Sequence, residues 1–142
     1  SWDPTLSARQ LVIISAVGVL VLAGIGLYVF YPDSESLMDE MRVIRVEAYD
    51  AIRAEDYDEF LRRTAQWRRQ AEKLPTSRRI RGQAVTDAAK EGLAEFLYGL
   101  KTLEGHMASR RFDDAKMMRV YVDRLYRDCC AECRGEGTQS AP

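Results

Sequence analysis

The sequence holds a single histidine, His106, so it has no His-rich metal site and no ready base for a His-centred triad. Three cysteines are too few to staple a small secreted domain with disulfides. Positive charge is not in excess. With 21 Lys and Arg against 22 Asp and Glu, the chain lacks the basic balance of a general nucleic-acid binder, and no nucleic-acid partner is expected. No glycine-rich phosphate loop is present. The paired carboxylates Asp56/Asp58 and Asp113/Asp114 stand at expected helix starts, where capping accounts for them. No set of side chains reads as catalytic, so the protein is expected not to be an enzyme.

Charge is also nearly missing from the first part of the chain, where only Asp3 and Arg9 precede Pro32. The uncharged run 11–31, LVIISAVGVLVLAGIGLYVFY, would form a helix ~31 Å long, close to the ~30 Å of a bilayer core. A cleaved signal peptide would have a shorter apolar core followed by a small-x-small site, whereas this run ends in Tyr28, Phe30, Tyr31 and Pro32. A retained single-pass span is therefore expected. Tyr28 and Tyr31 suit one membrane interface and Trp2 the other. Arg9 precedes the run, while Asp33, Glu35, Asp39 and Glu40 follow it, ahead of Arg42 and Arg45. The expected orientation is N-terminus cytoplasmic and large domain outside. Ser15, Gly18 and Gly26 share a helix face on which another helix could close, although glycine is common in spans.

Beyond Pro32 the apolar spacing is helical throughout. A first helix is expected from Ser34 or Ser36 to about Ala54, with Leu37, Met41, Ile44, Ala48 and Ile52 inward. A second follows Asp56 and carries Phe60, Trp67, Ala71 and Leu74 until Pro75 stops it; Glu59 has capping-box spacing from Asp56. A third runs from about Arg79 to Ser109 with Ala88, Leu93, Phe96, Leu97, Leu100, Leu103 and Met107. A fourth, capped by Asp113 or Asp114, carries Met117, Met118, Val122, Leu125 and Cys129 and ends near Gly135. The connections 55–56, 75–78 and 110–113 are short enough to force antiparallel neighbours. The expected fold class is all-α: one N-terminal transmembrane helix, then an up-down-up-down four-helix bundle. The expected division is an N-terminal segment 1–10, a span 11–31, a bundle domain 32–137 and a tail 138–142. The closing GEGTQSAP has no apolar pattern and is expected to be flexible unless an assembly holds it. The arginines Arg62, Arg63, Arg68, Arg69, Arg78, Arg79 and Arg81 have acids at similar density around them. They read first as a solvated face, and second as a dock for an acidic partner or lipid headgroups. Isolated Gly92, Gly99 and Gly105 read as close helix packing.

The most informative stretch is RLYRDCCAECRGEG, residues 124–137. Cys130 and Cys133 form C-x-x-C, and Arg134 stands where covalent haem attachment has its histidine. Arginine stays protonated and has no lone pair for iron. Four helices with C-x-x-C near the end of the last resemble the cytochrome c-prime family over roughly residues 34–137. That resemblance implies a bacterial periplasmic bundle, and it implies that Cys130 and Cys133 occupy the haem-attaching positions, with Arg134 departing from the ligand. Met38 and Met41, expected beside the cysteines, could offer a thioether to iron or simply fill the core. His106 is expected at the opposite pole, too far to complete a zinc site with Cys129, Cys130 and Cys133. A Cys130–Cys133 disulfide remains open. Redox catalysis is disfavoured, because a helix C-terminus opposes thiolate formation.

Two functions follow as expectations. One is a non-catalytic accessory subunit of a larger bacterial inner-membrane electron-transfer complex, photosynthetic or respiratory. It would have no cofactor and no metal, and a haem-less periplasmic bundle docked on partner subunits and anchored in lipid. The other is a membrane-anchored haem c protein that carries electrons or binds a small gas, with Cys130 and Cys133 holding the porphyrin.

Overall fold

The computed structural model describes residues 7–135. The chain divides into two units, one ending at Pro32 and the other beginning at Asp33. Trp2, the start of the N-terminal segment and the tail 138–142 lie outside the described residues.

Among the described residues the first unit holds one helix, α1 (Ala8–Phe30), with none of its side chains buried. It starts earlier than the apolar run because Ser7 and Gln10 form a reciprocal capping box, each side chain bonding the other's backbone N–H. Arg9 therefore lies inside its first turn. Beyond that turn the helix is apolar on every side, with a mean hydropathy of 2.6 over its most apolar 18 residues, and it is long and apolar enough to cross a membrane. A side chain added at Gly18 or Gly26 would meet nothing, so the expected small-residue face is open.

The second unit is helical as well, and no strand occurs among the described residues. It contains α2 (Ser34–Arg53), α3 (Tyr57–Glu72), α4 (Leu74–Ile80), α5 (Asp87–Ala108) and α6 (Phe112–Arg134). The second and third expected helices need correction. Pro75 does not end the helical path. It occupies the first turn of α4, where its missing N–H leaves no broken bond. The break falls instead at residues 81–86, between Gly82 in the left-handed conformation and Thr86, whose hydroxyl accepts the Ala89 N–H as the cap of α5. Asp56 caps α3 by accepting the Glu59 N–H. Asp113 and Asp114 do not cap α6. Arg111 holds that position, and the two carboxylates sit in the first turn, where they oppose the positive end of the helix dipole.

The connections 54–56 and 109–111 turn in the same way. After each helix the backbone closes with a pair of bonds, Glu55 N–H to Ile52 and Asp56 N–H to Ala51, then Arg110 N–H to Met107 and Arg111 N–H to His106. Glu55 and Arg110 take the left-handed conformation at φ 57° that glycine usually supplies.

Packing joins α2 to α3 and α5 to α6, with further seams between α2 and α6 and between α3 and α5. Along the α2–α6 seam, Arg134 meets Glu35, Tyr49 meets Asp123 and Lys116 meets Glu55, so the two helices run in opposite directions. Leu37, Met41, Ala48, Ile52, Phe60, Trp67, Ala71, Leu74, Phe96, Leu100, Leu103, Met107, Val122, Leu125 and Cys129 are buried as their spacing predicts. Ala88 and Met117 are exposed instead, and Ala89 and Ala115 fill the corresponding inward positions. At the centre lies Trp67, fully buried. Its ring touches Tyr49 of α2, Phe96 of α5 and Tyr126 of α6 at centroid distances of 5.8, 5.0 and 5.1 Å. Aromatic contacts of this kind contribute about 0.5–1.5 kcal/mol each beyond their buried area.

Gly99 marks the closest approach of α5 to α6. A Cβ there would lie 3.0 Å from Leu125 Cδ1 and 3.4 Å from Val122 Cγ2, whereas at Gly105 it would meet nothing. Gly105 is thus not a packing glycine. Replacing Gly105 with Ala is expected to stabilise the domain by about 1 kcal/mol through helix propensity. Gly99→Val is expected to destabilise it by about 1–3 kcal/mol through overpacking. Urea unfolding of the two variants checks both signs.

Candidate functional site

The final turns of α6 bring the three cysteines to the end of the domain where α2 begins. All three are buried, and none is in a disulfide. The Cys129 S–H donates to Cys133 one turn later. That bond, with burial, pushes the Cys129 thiol well above its ordinary range. It also holds Cys133 below that range, with the Arg78 charge adding to the effect. Cys130 points elsewhere. The Tyr126 O–H donates to its sulfur, and burial raises the Cys130 thiol.

Cys130 and Cys133 open onto different depressions. Cys130 lines a cavity of about 320 Å³ between α2 and α6, with Met38 and Tyr126 on its walls. Cys133 lines a second hollow beside Asp33, Arg78 and Gln83. Met38 is thus beside Cys130 as the sequence predicts, while Met41 is fully buried in the core. His106 sits in the last turn of α5. Gly92 packs on Cys129 and Gly99 on Val122, so α5 and α6 are antiparallel and His106 lies level with the start of α6, ~27 Å along the helix from Cys133. The structure does not bring His106 and the cysteines together.

No protein-family model, no curated protein and no solved structure matches the chain.

The residues present do not fit a haem iron. Arg134 Nε donates to a Glu35 carboxylate oxygen at 3.0 Å, so the position where a c-type site has its histidine carries a paired guanidinium. The space between the helices is filled by Trp67 and its three ring partners, all buried.

A second constellation was hidden in the sequence. Asp123 of α6 accepts from the Tyr49 hydroxyl at 2.8 Å and from Arg45 at 3.4 Å, and it also pairs with Arg127. Arg45 lies over the Tyr126 ring and Arg119 over the Tyr49 ring. Burial, and for Tyr49 the bond to Asp123, pushes both phenols far above their ordinary value. By contrast, the arginine run singled out in the sequence is largely spoken for. Arg62 and Arg63 pair with Glu59, Arg63 with Glu47 and Arg68 with Glu104. Arg78 and Arg81 donate to the backbone carbonyls of Ala84 and Ser77.

Two pH effects follow. A phenol raised in the folded state stabilises the fold fully below the unfolded value of about 10, and that contribution is lost as pH rises beyond it. Unfolding free energy should therefore fall above about pH 10, less steeply in Tyr49→Phe, as urea titrations at a series of pH values would read. Among the thiols, Cys133 should be alkylated by iodoacetamide at the lowest pH. Removing the Cys129 donor with Cys129→Ala should move the Cys133 profile upward, as peptide mass mapping would report.

Proposed function

We propose that the protein is a non-catalytic, single-pass accessory subunit whose helical domain docks on other subunits of a membrane complex. The observation that carries this reading is an outward apolar surface on α5 and α6. Met117, Val120 and Tyr121 share one face of α6, at 76, 57 and 53 % exposure, and Tyr98 of α5 is 73 % exposed. Tyr98 and Tyr121 flank a groove floored by Gly99, Met118 and Leu125. Tyrosine and methionine in this density, on a domain already holding a closed core, suit burial against a second protein.

The second unit reads as an up-down-up-down four-helix bundle, with α4 an extra turn in the second crossing. The opposed sense of α2 and α6, the two short turns and the four packing seams support that arrangement. The helix α1 serves as the lipid anchor. Arg9 ahead of its apolar stretch supports a cytoplasmic N-terminus, and with it a periplasmic bundle in a bacterial inner membrane. The C-x-x-C near the end of the last helix supports a cytochrome c-prime-like origin, and with it a host of the electron-transfer type, photosynthetic or respiratory. The alternative, a haem c protein carrying electrons or binding a small gas, has Met38 beside Cys130 in its favour. The paired Arg134 and the filled aromatic interior oppose it.

Purification in mild detergent from the native membrane should yield the chain within a larger assembly. Tyr98→Ser combined with Tyr121→Ser should release it without loss of helix content by circular dichroism. A chain that always runs alone overturns the subunit reading. The visible spectrum of the same sample should show no Soret band, and the mass should equal that of the bare polypeptide. A covalently attached porphyrin would instead establish the alternative.

A further inference from the structure

We propose that the cavity between α2 and α6 is a binding site for a phosphate monoester, and that Arg42, Arg45, Arg127 and Arg134 hold its phosphate group. All four side chains line the cavity, and no carboxylate does among the described residues. The antiparallel register brings them there. Arg134 is level with Glu35 and Asp123 is level with Arg45 and Tyr49, so the pair on α2 and the pair on α6 face one another across one groove.

The carboxylates that pair with these guanidiniums lie outside the lining. Asp39 pairs with Arg42, Glu35 with Arg134, and the single Asp123 serves both Arg45 and Arg127. Among the described residues one carboxylate, Asp123, is thus shared between two guanidiniums, which leaves each of them bonding capacity for an incoming anion. The Arg42–Asp39 pair, with both side chains about two-thirds exposed, is of a kind that contributes ~0–1 kcal/mol, so an incoming anion displaces it at little cost.

The shape of the site selects the ligand class. Guanidinium forks approaching from two helices suit a tetrahedral dianion, which offers oxygens on several sides, better than a planar carboxylate. A monoester carries nearly two charges at neutral pH. At about 320 Å³ the cavity is roughly ten times the share of one water in the liquid, and so accommodates more than a bare phosphate. Met38 and Ala131 give part of the wall an apolar character suited to the esterified group. This chemistry is shared by a free phosphomonoester and by the headgroup of phosphatidate. The inference stands apart from the docking surface, which uses other faces of α5 and α6.

The test uses the full chain. In detergent, inorganic phosphate and glycerol 3-phosphate are titrated by calorimetry. In nanodiscs of phosphatidylcholine alone or of a phosphatidylcholine–phosphatidate mixture, phosphorus NMR reads the headgroup resonances. Saturable binding of glycerol 3-phosphate, weakened by salt, identifies a free monoester as ligand. A phosphatidate resonance shifted or broadened by the protein, without saturable binding of the free ester, identifies the headgroup. Arg42→Gln with Arg127→Gln should weaken whichever binding is seen by about tenfold or more. These two side chains are 63 and 66 % exposed, so the variant should fold. Arg42→Gln alone provides a milder second variant, and Arg69→Gln, an exposed change away from the cavity, should leave binding unchanged. Absence of binding in both arms overturns the proposal. So does retention of wild-type affinity in the double variant, or an equal loss in Arg69→Gln.

Discussion

The domain is organised around one buried indole. Trp67 of α3 presents its ring to Tyr49, Phe96 and Tyr126, one from each of the other three long helices after Pro32. Phe96 and Tyr126 also touch, at 5.4 Å, so the cluster closes on itself. Edge-on aromatic contacts have directional preferences that aliphatic packing lacks, so this cluster fixes the rotation of each helix as well as its distance. From it the polar architecture follows. The two tyrosines point their hydroxyls away from the indole, Tyr49 to Asp123 and Tyr126 to Cys130. Asp123 then gathers Arg45 and Arg127 at the mouth of the α2–α6 cavity. Core, thiol and basic groove form one connected set.

That connection explains why the cysteine pair is chemically uneven. Cys129 and Cys133 occupy successive turns of the same helix face and bond to one another, whereas Cys130 faces the tyrosine. The C-x-x-C spacing alone suggests two equivalent thiols. In the fold, the neighbour that matters to Cys133 is Cys129, which lies outside that motif, while the motif partner Cys130 opens into a different hollow with different charge around it.

Much of this was legible in the sequence where a single helix carries the signal. The spacing of Leu37, Met41, Ala48 and Ile52 gives the buried face of α2, and Asp56 with Glu59 gives the start of α3. Reading failed where a local rule has two outcomes. Proline both ends helices and begins them, and Pro75 does the second. Ala88 and Ala89 are adjacent and equally apolar, so only the helix phase imposed by packing against α6 decides which is buried. The arginine groove was not legible at all. Its members come from segments about 80 positions apart, each resembling a solvated face, and only the antiparallel register of α2 and α6 places them together. The arginine run that did stand out, 62–81, proved to be engaged largely with its own neighbourhood.

The matching turns at 54–56 and 109–111 bear on how the domain assembles. Each closes a helical hairpin, α2 with α3 and α5 with α6, whose partners are near neighbours along the chain and pack more extensively than any other pair. Local pairings of this kind incur little loop-closure entropy, which favours their forming first. On that argument the hairpins are expected to mate afterwards, across the thinner seams that Trp67 and Asp123 bridge. Under mechanical load, the domain should part along that joint, each hairpin coming away whole.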